Sequence, residues 1–252
     1  MSFIPKVLRF ESLPSTNLEA ARQATEGAPE GLCVVAAEQT SGRGRLGRQW
    51  ISPKGAGLYL SVILRPTLPQ SRWPLLALMA AVAVHEALLE SCELLTDIKW
   101  PNDIVAGEKK LCGILAETVD TAGGSAVVMG IGINLNETSF PPELQGVATS
   151  IQGISGPVDY ELVLRTLVKD LAAWYGKIQT NPACNLAEEW CARSSYCKGK
   201  RIMVADGVGT FEGITKGLES DGGLVVELDN GDQKVIRAAD ISSVRPAGPV
   251  TQ

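Results

Sequence analysis

The chain has 252 residues and a formal net charge of −5, a length that suits one large or two unequal domains with a packed core. Its pI near 5.1 argues against general affinity for nucleic acid or anionic membrane, since both require broad positive fields. No apolar run reads as long enough to span a membrane, and the segment up to Leu13 lacks the apolar stretch and cleavage site of a secretory signal, so the expected location is the cytoplasm.

Val7 to Leu13 reads as a short first strand. Thr16 and Glu19 then stand at capping-box spacing, which predicts a helix start, and Gly31 to Glu38 is a compact β-type run. From Thr40 to Ile51 the local charge reverses: three arginines and three glycines share one loop of an acidic protein. Forked guanidinium donors and closely approaching backbone N–H groups both fit phosphate or carboxylate, so the loop points to a bound anion. Gly42, Gly44 and Gly47 satisfy GxGxxG, but the dinucleotide fingerprint needs a helix next, and Gly57 to Leu64 reads as a strand; the Rossmann reading is rejected.

Leu58 to Arg65 forms that strand, ended by Pro66. Trp73 to Cys92 is the longest helical candidate: Leu75, Leu78, Met79, Val82 and Leu89 recur at helical spacing, so it should cover one side of a sheet. Ile98 to Trp100, Ile104 to Ala106, Lys110 to Val119 and Ala126 to Asn134 follow as a meander suited to antiparallel pairing. Helices are expected at Tyr160 to Ile178 and Leu186 to Cys191. After a boundary near Tyr196, short β runs at Arg201 to Ala205, Gly209 to Leu218, Gly223 to Leu228 and Gln233 to Ala238 are joined by turns at Asp206-Gly207, Asp221-Gly222-Gly223 and Asn230-Gly231, a pattern suited to a small SH3-like barrel. The expected class is α+β, with domains at 1–195 and 196–252.

Six cysteines form no CxxC pair and the only histidine, His85, sits in the apolar helix, so neither structural zinc nor histidine-based nucleophilic catalysis is expected. Cys33, Cys92 and Cys112 read as small buried hydrophobes. Three further clusters remain, each with a plain structural reading beside a functional one. Lys99-Trp100-Pro101-Asn102-Asp103 ends a strand in a polar turn; Lys109 to Leu115 brings lysine and Gly113 into an apolar strand; Gly130-Ile131-Gly132-Ile133-Asn134 closes a strand with two glycines and an amide.

Taken together and in order, these blocks resemble the biotin protein ligase family over nearly the whole chain. The marks are Ser15-Thr16-Asn17, Glu38-Gln39, Gly42-Arg-Gly-Arg-Leu-Gly-Arg48 with Trp50, Leu58-Tyr-Leu-Ser61, Lys99-Trp-Pro-Asn-Asp103, Lys110-Leu-Cys-Gly-Ile-Leu115 and Gly130-Ile-Gly-Ile-Asn134. The resemblance implies a mixed-sheet biotin/lipoate ligase-like catalytic domain followed by an SH3-like barrel. It also implies a two-step reaction: the biotin carboxylate attacks the α-phosphate of ATP to give biotinyl-5′-AMP, with Mg2+ assisting, and a lysine of a biotin carboxyl carrier protein then takes the acyl group.

Carried onto this sequence, the resemblance puts Ser15, Thr16, Asn17, Gln39, Arg43, Gly44, Arg45, Lys110 and Gly113 at the biotin site. It puts Arg45, Arg48, Trp50, Lys99, Asn102 and Asn134 at the nucleotide. Arg45, Lys110 and Asp103 are the implied catalytic groups, the first two on the carboxylate and phosphate, Asp103 orienting magnesium or the incoming amine; no dedicated metal-ligand set is implied. The Ser-Thr-Asn block begins too early for a preceding helix-turn-helix domain, so a ligase without operator binding is expected. Gly57 departs from the family, which often has asparagine there. Lipoate or octanoate ligases of the same fold lack the Gly-Arg-Gly-Arg block, and a nucleic-acid module is disfavoured by the acids from Asp206 to Asp240. Exposed strand edges leave a homodimer open.

Overall fold

Two sheets divide the chain in the computed structural model, which describes residues 3–136, 140–181, 184–206, 209–238 and 241–247, with the backbone alone at 241–243. The first sheet is built from β1 (Lys6–Leu13), β2 (Leu32–Gln39), β3 (Gly57–Leu64), β4 (Asp97–Lys99), β5 (Asp103–Ala106), β6 (Lys109–Thr121) and β7 (Gly124–Asn134). Its order is β1-β2-β3-β7-β6-β5-β4. The β1–β2 pair is parallel and the others antiparallel, so the expected meander from β4 to β7 forms within a mixed sheet.

Alternation along β7 sorts the two faces. Ala126 and Val128 pack under α1 (Thr16–Thr25), whereas Val127, Met129, Ile131 and Ile133 join the main core beneath α2 (Pro74–Cys92). Sequence spacing suggests that α2 is amphipathic; instead it is buried almost all round, because α4 (Tyr160–Thr180) covers the side turned away from the sheet. Leu89, assigned to the apolar face, is 46% exposed at its far end. The stretch Gln70–Cys92 is long and apolar enough by composition to cross a membrane, which corrects the expectation that no such run exists. Its place in the core accounts for that composition, since a helix covered on both sides needs apolar residues all round.

The capping box expected at Thr16 and Glu19 does not form. Ser15 is the N-cap and makes no side-chain cap bond, Thr16 Oγ1 donates to Gln39 Oε1 at 3.0 Å, and Glu19 pairs with Arg22. Thr16 is already inside the helix, where its hydroxyl meets the carboxamide of the neighbouring strand. His85 is buried, bonded to Thr96 Oγ1 at 3.0 Å, and held below its ordinary pKa by burial, as befits a packing residue.

The connection between domains runs through α3 (Ile151–Ser155), which has no clear sequence signal, then α4 and α5 (Leu186–Cys191). A disulfide links Cys191 to Cys197 across the joint; their spacing gave no sign of it, while Cys33, Cys92, Cys112 and Cys184 are free. The second sheet holds β8 (Lys198–Asp206), β9 (Thr210–Leu218), β10 (Leu224–Glu227), β11 (Gln233–Ile236) and β12 (Ile241–Pro246), antiparallel in the order β11-β10-β9-β8-β12. β12 is additional to the strands read from sequence, and Gly207 and Asp240 lie outside the described residues. Trp100, 2% exposed, donates its indole N–H to the Gly222 carbonyl at 3.0 Å and ties this sheet to the end of β4.

Candidate active site

One cavity opens on the α1 face of the first sheet, beyond the end of that helix. It is lined by Ser15, Thr16 and Asn17, by Gln39, by the loop from Arg43 to Trp50 without Gly47, by Asn102 and Asp103, by Lys110 and Gly113 to Leu115, and by Gly130 to Gly132. The face alternation that puts Ala126 and Val128 beneath the helix continues through Gly130 and Gly132, so the strand loses its side chains where the cavity begins. Both glycines are required by what lies above them. A Cβ on Gly130 would stand 2.2 Å from Asn17 Oδ1, and one on Gly132 would stand 2.4 Å from Trp50 Nε1.

The Arg/Gly loop is a small hairpin rather than an open coil. Trp50 N donates to Gly42 O at 2.9 Å and Gly44 N to Arg48 O at 2.7 Å. At its tip Leu46 takes a left-handed backbone (φ 56°) and is 61% exposed, which reverses the chain between Arg45 and Arg48. Arg45 turns inward, donating to Asn102 Oδ1 at 3.1 Å and to the carbonyl of Ala238, just past the end of β11. Burial lowers its pKa, with Asp103 opposing that shift. Asn102 is itself fixed, since its Nδ2 donates to Ile114 O at 2.7 Å and its carbonyl accepts from Ile114 N at 2.9 Å.

Lys110 reaches the cavity through a register fault. The β5–β6 pairing steps from Ile104 opposite Cys112 to Val105 opposite Lys110, which leaves Leu111 as the extra residue of a bulge. Leu111 and Cys112 therefore both enter the core, and Lys110 emerges beside Gly113. Its Nζ pairs with Asp103 Oδ1 at 2.7 Å and lies 5.4 Å from the centroid of the Trp50 ring. Burial pushes the Cys112 thiol pKa upward, in keeping with an inert core residue.

The opposite wall is a run of amides and hydroxyls. Gln39 Oε1 accepts from Thr16 N at 2.8 Å as well as from the Thr16 hydroxyl, and Gln39 Nε2 donates to Ser52 Oγ at 2.8 Å. Ser52 Oγ in turn donates to the Trp50 carbonyl at the end of the loop. The cavity thus has a neutral, hydrogen-bonding end and a cationic end, a division suited to a ligand with a polar ring and an anionic tail.

Of the residues expected here, Ser15, Thr16, Asn17, Gln39, Arg43, Gly44, Arg45, Arg48, Trp50, Asn102, Asp103, Lys110 and Gly113 all line this cavity. Lys99 and Asn134 do not. Lys99 lies 6.0 Å from the centroid of the Tyr196 ring, its pKa lowered by burial, and Asn134 is buried with its Nδ2 donating to Thr149 O at 3.0 Å. Sequence reasoning gives no site role to Glu117, or to Ser61 beyond ending the Leu58-Tyr-Leu-Ser61 block; neither lines the cavity, but both bond Asn17, which does. Ser61 interrupts the otherwise apolar Leu58 to Leu64 run, a signal that was available, whereas Glu117 reads as one more polar residue of an alternating strand. Among the described residues no group of three or more His, Cys, Asp or Glu side chains forms a metal site.

Residues 7–134 match the Biotin/lipoate A/B protein ligase family, and residues 199–243 match the Biotin protein ligase C terminal domain. The Bifunctional ligase/repressor BirA of Bacillus subtilis is 38% identical over 92% of this chain and 72% of its own length. The Biotin--[acetyl-CoA-carboxylase] ligase of Paracoccus denitrificans is 35% identical over 90% of this chain and 96% of its own. The structure of biotin protein ligase from Aquifex aeolicus in complex with biotin and ATP superposes with a TM-score of 0.85 at 30% identity, covering 97% of this chain and 100% of that one.

Proposed function

The chain belongs to the Biotin/lipoate A/B protein ligase family, and from that premise we propose that its cavity activates biotin with ATP and passes the biotinyl group to a lysine of a biotin carboxyl carrier protein. The observation that carries this reading is the two-ended cavity, with the Thr16–Gln39 amide and hydroxyl wall at one end and Arg45, Arg48 and Lys110 at the other. The relatives named as biotin ligases and the match to a biotin ligase C-terminal domain favour biotin over lipoate.

Biotin's ureido ring offers N–H donors and a carbonyl to the neutral wall, and its valeryl chain leads the carboxylate toward the cations. The carboxylate oxygen attacks the α-phosphorus, the bond to the β-phosphate oxygen breaks, and pyrophosphate leaves. Carboxylate and triphosphate repel each other and charge moves onto the leaving group, so fixed cations stabilise the transition state more than the separated reactants. In this reading Arg45 and Lys110 exchange their resting partners, Asn102 and Asp103, for ligand oxygens. Arg48 and Trp50 attend the nucleotide, while Lys99 and Asn134 support it from behind the cavity wall.

Magnesium bound with the nucleotide would neutralise triphosphate charge, a mode that needs few protein carboxylates. Asp103 is the carboxylate on the cavity wall that fits this role. In the second step the carrier amine attacks the acyl carbon and AMP leaves. Asp103, freed from Lys110, orients that amine and holds its proton. The catalytic unit is residues 1–195 and the C-terminal unit 196–252, with the reaction in the cytoplasm beside its carrier.

Biotin-dependent exchange of labelled pyrophosphate into ATP tests the reading without needing the carrier. Exchange is expected with biotin and not with lipoate or octanoate. Exchange driven by lipoate instead, or by none of the three acids, would overturn it.

A further inference from the structure

Glu117 lies on β6, on the same face as Gly113 and Leu115, and joins two parts of the site that the sequence keeps far apart. One carboxylate oxygen accepts from Asn17 Nδ2 at 2.7 Å and the other faces Arg43 of the Arg/Gly loop at 3.0 Å. Asn17 is 5% exposed, and the far side of its amide is equally committed: Oδ1 lies 2.6 Å from Ser61 Oγ, which is fully buried on β3 and also 2.8 Å from Thr16 Oγ1. Thr16 gives its own hydroxyl proton to Gln39, so the single Ser61 proton serves two acceptors, Thr16 Oγ1 and Asn17 Oδ1, and holds both against β3.

We infer that Glu117 and Ser61 are positioning residues for biotin binding: Glu117 holds the Asn17 amide in one orientation while latching the Arg/Gly loop through Arg43, and Ser61 anchors the Thr16 hydroxyl and the Asn17 amide at the cavity wall. The two jobs of Glu117 are chemically separable. The bond to Asn17 needs only an acceptor, which a carboxamide also supplies. The contact with Arg43 is made where both side chains are partly solvated, at 28% and 46% exposure, and needs the charge. The geometry assigns the Asn17 bond to affinity and the Arg43 contact to closure of the loop.

The inference rests on the biotin reading above, and its test has one arm that needs no ligand. In the full chain, Glu117→Ala is expected to raise the biotin KM by about 10- to 100-fold, the range for a lost hydrogen bond to a charged group, with the ATP KM changed by less than about twofold. Trypsin should cut after Arg43, Arg45 or Arg48 faster than in the unmodified chain, with no ligand present. Glu117→Gln should restore the biotin KM to within about threefold yet keep the fast cleavage, because it returns the acceptor without the charge. Ser61→Ala should show the reverse pattern, a raised biotin KM with ordinary cleavage. Biotin KM and cleavage both within about twofold of the unmodified chain in Glu117→Ala would overturn the inference, as would biotin and ATP KM values rising together with a falling Tm in every variant. Absence of biotin-dependent exchange in the unmodified chain would instead remove the biotin reading and the affinity role with it, leaving trypsin to decide the latch.

Discussion

Lys110 meets three different surfaces at once: the carboxylate of Asp103 at 2.7 Å, the ring of Trp50 at 5.4 Å, and the bare backbone of Gly113. Its charge is therefore compensated at rest by a group that a bound anion can replace without rebuilding the strand. Lys110→Ala should keep the fold, because the side chain is part-exposed, and lower pyrophosphate exchange by about 10²-fold, the loss typical of one preorganised donor. Near-normal turnover in that variant, with an unchanged Tm, would remove Lys110 from the reaction. Arg45 differs in kind, because part of its hydrogen bonding goes to a backbone carbonyl just past β11 and cannot be read from its own neighbours in sequence.

At the scale of elements, the strands were legible wherever period-two alternation or a run of buried residues set their faces, as in β3 and β7. α2 was found at nearly its full length, but its all-round burial was not, since that depends on α4 arriving from much later in the chain. The site was legible as a set of blocks because each block starts, ends or connects an element at the same end of the strands. Ser61 and Glu117 stayed hidden because a strand's sequence does not reveal which cross-strand neighbour a polar side chain will meet. The floor of the cavity is an element-level property too. Gly132→Ala would set a methyl carbon 2.4 Å from Trp50 Nε1, so the indole must move. We expect a shifted tryptophan emission, a destabilisation of about 1–3 kcal/mol and reduced exchange activity; unaltered emission and activity would mean that Trp50 does not rest on this floor in solution.

Across the whole molecule, the two sheets are joined by more than the covalent link at Tyr196. Trp100 donates to Gly222, whose backbone lies against Leu75 and Leu78 of α2, and Arg45 donates to Ala238. One side of the catalytic cavity is thus held from two connections of the C-terminal strands, the β9–β10 turn and the segment after β11, an arrangement that sequence could announce only as two adjacent domains. Trp100→Phe keeps an aromatic ring but removes the indole N–H that serves the Gly222 carbonyl together with part of a buried ring, so stability should fall by about 1–3 kcal/mol in urea unfolding, with both domains lost in one transition. An unchanged midpoint, or a C-terminal transition already separate in the unmodified chain, would show that the bond does not couple them.

The bulge at Leu111 has a consequence for descent as well as for chemistry. Pairing the same residues without the bulge would turn Lys110 into the hydrophobic interior, whereas removing Leu111 would leave Lys110 opposite Val105 on the cavity face and cost the core one side chain. A lineage that lost the extra residue would keep its cation in place and give up a buried leucine, so a gap in an alignment there would mark a regular strand carrying the same charge.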